Sequence, residues 1–323
     1  MINSVRNTVL SVLNKNNYGY ISPSDFNLYA QQAQMELYEE YFSNYNKDIN
    51  MENSRMSGSD YADISKTLRE VIESFLVSDF LIPAISPSGN IINKYFTPSS
   101  VTTGNESYMI ESINCYTNNI ALGSTTGAAA FQLIDLTASF SSTVIKPGDI
   151  VVNIQTYQST TVEAVQTATT IALNNDIFTV PGEDYRIYSA SVYAEAEKTS
   201  PSKISLLNHS LLTSPSLNFP AYELVGNNLI FHPTSIKGYG VVKATYFRYP
   251  KPPKWTYVTL LNGDPSFDQS QPDYQDFEMP LEDEFKLVMK ILQYCGMSIR
   301  EIQVTQFGQA QETHEQPSFS QQI

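Results

Sequence analysis

The sequence predicts an α+β fold: a helical bundle formed by both chain ends, with a large antiparallel β domain, a barrel or sandwich, inserted between them. Three observations point there. Apolar residues recur at helical spacing through the first eighty or so residues and again after Pro280. From about residue 91 to 191 the period drops to two, with Gly, Asn, Thr and Ser interrupting it every eight to twelve residues or so, and period-2 runs return between residues 220 and 249. At 323 residues the chain exceeds one average domain, so two domains can each bury a core. The expected layout is a helical domain over 1–90 with 256–302, a β-rich domain over 91–255, and an extended C-terminal arm over 303–323.

The first helix is expected over residues 2–14, where Ile2, Val5, Val9, Val12 and Leu13 fall at helical spacing and Asn14, Asn16, Asn17 and Gly19 end it. The second has the clearest start in the chain. Ser22 stands at the N-cap, Pro23 at the first helical position and the acid Asp25 in the first turn, where it suits the helix dipole. Phe26, Ala30, Ala33, Leu37 and Tyr41 then form one apolar stripe, with Gln31, Gln34 and Glu39 placed off it. A third helix, capped by Asp60, aligns Tyr61, Ile64, Leu68, Val71, Ile72 and Phe75; Pro83 and Pro87-Ser88-Gly89 are expected to end it.

The β pattern is sharpest from Lys146 to Tyr188. Pro147-Gly148-Asp149 reads as a turn, Ile150, Val152 and Ile154 alternate, and Val162 with Val165 begins another strand. Ile171 and Leu173 lead into Asn174-Asn175-Asp176; Ile177, Phe178 and Val180 follow, and after Pro181-Gly182 the pair Tyr185 and Ile187 closes the run. Residues 193–198 read as a short helix or loop, and 199–219, rich in Ser, Pro and Leu, as a surface connection. Tyr222 and Leu224 alternate before Gly226-Asn227-Asn228, and Leu229 and Phe231 alternate after it, which is a hairpin signal. A third strand runs from Val241 to Tyr249, with Val242, Ala244, Tyr246 and Arg248 on one face, until Pro250, Pro252 and Pro253 stop it.

After Trp255, the stretch 263–278 gathers Asp264, Asp268, Asp273, Asp276 and Glu278 into an acidic loop. Pro280 opens the last helix, with Glu282, Asp283 and Glu284 in its first turn and Lys290 late, a charge order matched to the dipole. Its expected buried face is Leu281, Phe285, Val288, Met289, Leu292 and Cys295, its expected end is Gly296, and it most simply returns to the N-terminal helices. Residues 303–323 hold seven Gln and few apolar anchors, so they read as an arm that is disordered or ordered only against a neighbour.

Composition narrows the function. The net charge of -14 opposes a surface that grips a polyanion such as DNA or an anionic membrane, because that grip needs basic residues. Charged residues are only 16% of the chain, and Tyr occurs 21 times; uncharged polar and aromatic surface of this kind suits large protein contacts. Cys115 and Cys295 lie far apart and form no CxxC, so both read as buried apolar residues, with no zinc site or disulfide framework. No apolar run is long enough to span a bilayer, no secretory signal is read, and synthesis is expected in a cytoplasm.

No Walker A loop, GxGxxG, HExxH or GxSxG occurs. The histidines His209, His232 and His314 are scattered, and a Ser/His/Asp set would require the fold to unite one of them with a nucleophile. The acidic loop lacks the Asp-x-Asp-x-Asp-Gly order of an EF-hand, which favours a solvated loop or subunit contact over calcium. Trp255 beside Pro252 and Pro253 reads as a packed junction, with sugar stacking as the alternative. No catalytic, cofactor-binding or metal-binding residue is assigned, and the chain is expected not to be an enzyme.

Three stretches carry a resemblance. Residues 15–42 (KNNYGYISPSDFNLYAQQAQMELYEEYF), 220–255 and 276–301 (DFEMPLEDEFKLVMKILQYCGMSIRE) resemble virion neck or ring proteins of crAss-like, short-tailed bacteriophages. The PGDIVVN and YRIY segments are similar to β domains of other phage structural proteins, and the layout is more distantly similar to tail tubular protein A adaptors. The resemblance implies a structural ring, commonly a homododecamer, in the head-to-tail connector below the portal. Its partners would be copies of itself, the portal and other neck or tail rings. Duplex DNA would pass through the channel during genome ejection without being held. The family supplies no catalytic residues. The alternative function is a peripheral virion protein whose β domain binds a host glycan.

Overall fold

The computed structural model describes residues 1–15, 21–55, 64–156, 158–261 and 263–299. The fold is mixed α/β with several sheets, antiparallel in every pairing but one among the described residues. Helices α1 (Ile2–Lys15), α2 (Pro23–Arg55) and α3 (Ile64–Glu73) come first. Strands β1 (Leu76–Phe80), β2 (Pro83–Ile85), β3 (Ile91–Phe96), β4 (Ser107–Cys115), β5 (Asn119–Ser124), β6 (Gly127–Ala129) and β7 (Gln132–Ile134) follow. Next are β8 (Ile150–Asn153), β9 (Ser159–Thr167), β10 (Thr170–Leu173), β11 (Asp184–Tyr188), β12 (Ala194–Glu195) and β13 (Glu197–Thr199). The chain ends with α4 (Pro201–Leu207), β14 (Ala221–Val225), β15 (Asn228–His232), β16 (Val242–Arg248), β17 (Tyr257–Thr259), β18 (Pro265–Phe267), a 3-10 turn at Leu281–Asp283 and α5 (Glu284–Ile299). Two compact units result, one from residues 1–75 and 250–323 and one from 76–249.

In the first unit the local signals act as physics requires. Ser22 Oγ accepts the Asp25 N–H at 3.1 Å, satisfying one orphan donor at the start of α2, and donates to the Asp25 carboxylate at 2.7 Å. Phe26, Ala30, Ala33, Leu37 and Tyr41 are all buried. Helix α5 packs against α1 and α2.

Gln34, which lies off the apolar stripe, is nevertheless 1% exposed, because its amide satisfies backbone groups brought to α2 from residues 251 and 278. One expectation about side-chain faces is corrected. Of the expected buried face of α5, Val288, Met289, Leu292 and Cys295 are buried, joined by Leu287 and Ile291, whereas Leu281 and Phe285 are 73% and 56% exposed. This helix is apolar around most of its circumference, so periodicity alone does not select a face, and Leu281 lies in the 3-10 turn, whose tighter winding takes it off the α-helical register. Gly296 lies inside α5, which continues to Ile299.

The expected third helix also stops early. It ends at Glu73, and residues 76–85, expected to be helical up to Pro83, form β1 and β2. The pairing of β1 with β16, Asp79 opposite Ala244, decides this segment, and that partner lies far away in the chain. The Asp60 cap and the 303–323 arm lie outside the described residues. So does His314.

The second unit contains three sheets. The four-stranded sheet is ordered β1-β16-β4-β12, the five-stranded sheet β13-β14-β15-β3-β2 and the seven-stranded sheet β5-β11-β8-β9-β10-β7-β6. The predicted hairpin forms as β14 and β15 around Gly226-Asn227. The third strand of that run, β16, does not extend the hairpin but crosses to the four-stranded sheet, where Val242, Ala244 and Tyr246 face a common core with Tyr95, Leu229 and Phe231. Residues 193–198 are mostly strand, β12 and the start of β13. The 199–219 connection contains α4 and links β13 to its parallel neighbour β14, a pairing that needs a crossover.

The barrel expectation is corrected as well. No barrel is closed: the seven-stranded sheet rolls around a core that includes Leu133, Val151, Val162, Ile171 and Ile187, and its edge strands β5 and β6 do not pair with each other. They are successive parts of one bent segment. Thr125 donates its N–H to Glu183 O and Thr126 to Ile134 O, each at 2.8 Å, so the chain leaves one edge of the sheet and arrives at the other. Gly123 permits the roll. A Cβ there would stand 2.6 Å from the Tyr185 hydroxyl, which instead donates to buried Asp135 at 2.8 Å.

Candidate interaction surfaces

The side chains flagged as chemical candidates turn out to have structural partners. His232 is half-buried, with Nε2 3.5 Å from the Glu223 carboxylate, and no hydroxyl of a described residue hydrogen-bonds it. His209 is exposed, its Nδ1 2.5 Å from Ser205 O. Burial pushes the Cys115 and Cys295 thiols up to about 12, which leaves little thiolate for nucleophilic or metal chemistry near neutrality.

Within the acidic segment the carboxylates serve separate local contacts. Asp268 Oδ1 accepts from Ser270, Asp273 lies 2.5 Å from Lys254 Nζ, and Glu278 accepts the Lys251 N–H at 2.8 Å. Asp276 takes the Ile2 N–H at 2.7 Å and the Met1 amino group at 2.9 Å. Partial burial works to raise the Asp276 carboxyl, but those two donors and the Phe277 N–H outweigh it and hold the group below the usual carboxylate range. Among the described residues no three His, Cys, Asp or Glu side chains could hold a metal ion together.

Trp255 is not available for sugar stacking. It is 1% exposed, with the Arg6 guanidinium 3.8 Å from the ring centroid and the rings of Tyr257 and Phe267 stacked at 5.6 and 6.0 Å. Its indole N–H donates to Asn3 at 3.0 Å, and Asn27 accepts its backbone N–H and donates to its backbone oxygen. This anchor holds the base of the β17–β18 hairpin.

Several apolar side chains are left uncovered. Beyond the Trp255 anchor, Tyr257, Val258, Leu260 and Leu261 are exposed, and no Asp, Glu, Lys or Arg occurs between Lys254 and Asp264. In the second unit, residues 204–222 contain no such charge either, yet Leu211, Leu212 and Phe219 are 80% exposed or more. That connection is held by short-range bonds, including Thr213 Oγ1 to Leu207 O at 2.9 Å and Ser214 N to Ser210 O at 2.9 Å. Residues 112–145 carry one charge, buried Asp135, while Leu122, Phe131 and Leu136 stand exposed from β5, the β6–β7 hairpin and the end of β7.

The chain matches no family model and no curated protein. The surfaces themselves are therefore the functional evidence. Periodicity did not flag them, because an exposed leucine in a connection has no period. Their signal in the sequence is the spacing of charges: long intervals without Asp, Glu, Lys or Arg in a chain that is otherwise acidic. Scattered exposed leucines are ordinary on any protein, and several within one uncharged interval make that interval a candidate contact surface.

Proposed function

We propose that this protein is a structural component of a bacteriophage virion neck, assembling with copies of itself into a ring of the head-to-tail connector below the portal. In this reading the helices from both chain ends, α1, α2 and α5, make a helical bundle of the ring, and duplex DNA passes through the channel without specific binding. The observation that carries the reading is the combination of a net charge of -14 with uncharged, apolar-studded surface in both units. Like charge keeps most faces of identical copies apart, while uncharged apolar faces give up little on contact and gain from burial. An acidic channel wall would likewise avoid gripping phosphates spaced about 1.7 Å apart along the duplex. No helix among the described residues is long and apolar enough to cross a membrane.

Native mass measurement of the full chain tests the reading. A closed, high-order assembly, of twelve copies if it follows the resemblance, that associates with a portal is the expected outcome. Protein that stays monomeric at high concentration and captures no other capsid or tail component would overturn it. Tight duplex retention by assembled rings at low salt would overturn the passive-channel part alone.

A further inference from the structure

We draw no further inference here: the strongest candidate, the exposed apolar patch of the β17–β18 hairpin formed by Tyr257, Val258, Leu260 and Leu261, is an unpartnered face, and nothing in the structure shows what covers it.

Discussion

In the unit made from residues 1–75 and 250–323, much of what joins the two distant chain segments is polar and directional. Gln34 donates to Lys251 O at 2.8 Å and accepts from Glu278 N at 3.1 Å, Asn27 brackets the Trp255 backbone, and Tyr41 donates to Asp283. Lys290, with its side chain 8% exposed, reaches Glu40 at 2.9 Å and Glu36 at 3.3 Å. The unit from 76–249 is one continuous stretch of chain and closes differently. Its four- and five-stranded sheets share an apolar core to which Ile150, Val152 and Tyr188 of the seven-stranded sheet also contribute. The contrast separates two kinds of vulnerability. Removing a directional contact strands a buried partner, whereas a core shared by several sheets tolerates little change of shape.

The largest effect should come from shape. Gly240 has a φ of 69°, and a Cβ built on it would lie 2.1 Å from Val152 Cγ2, on a β-branched side chain with little rotamer freedom. Gly240→Ala is expected to destabilise the 76–249 unit by about 3 kcal/mol or more, combining overpacking with left-handed strain. Adding Val152→Ala should return the overpacking share, so the double substitution costs less than the two single costs combined. Denaturant unfolding followed by hydrogen exchange in each unit measures this. A loss below about 0.5 kcal/mol for the single change would show that the sheets are not locked here.

A smaller loss is expected from direction. Asn27→Ala leaves the Trp255 N–H and carbonyl without their side-chain partner beneath a buried ring, which should cost the first unit about 2 kcal/mol. Asn27→Asp keeps the acceptor and loses the donor, so an intermediate value is the sharper check. Equal losses for Ala and Asp would mean that the acceptor bond contributes nothing.

How much of this could be read from the chain follows the same division. Ser22, Pro23 and Asp25 announce α2 because a helix cap is satisfied within one turn, and Gly226-Asn227 announces its hairpin for the same local reason. Residues 76–85 were not legible as strand, since their partners lie beyond residue 240 or in the separately formed β3. The burial of Gln34, off the apolar stripe, was not legible because the carbonyl and N–H it satisfies arrive from more than two hundred positions away. The uncharged intervals were visible in the sequence, but exposure of Leu211, Leu212 and Phe131 within them depends on how the crossover and the hairpin turn, which periodicity does not encode.

The smallest effect is a difference in acid response. Burial works to raise the Asp135 carboxyl in the second unit, yet hydrogen bonds from Thr137, Tyr185 and the Thr137 and Ala138 N–H groups hold it below the usual range; Asp276 in the first unit is depressed as well. A carboxyl lowered in the folded state binds its proton more readily when unfolded. Each therefore contributes stability that is present above the unfolded value of about 4 and fades as the pH falls through the folded one. The two should separate on adding salt. Asp276 is 36% exposed and answers an amino group, an attraction that dissolved ions screen, while Asp135 is 2% exposed and answers neutral donors. Hydrogen exchange across an acid titration should show the Asp276-dependent share shrinking at high salt, judged against Asp276→Asn, and the Asp135-dependent share unchanged, judged against Asp135→Asn. Equal salt sensitivity in the two units would mean that ionic attraction does not distinguish how they are closed.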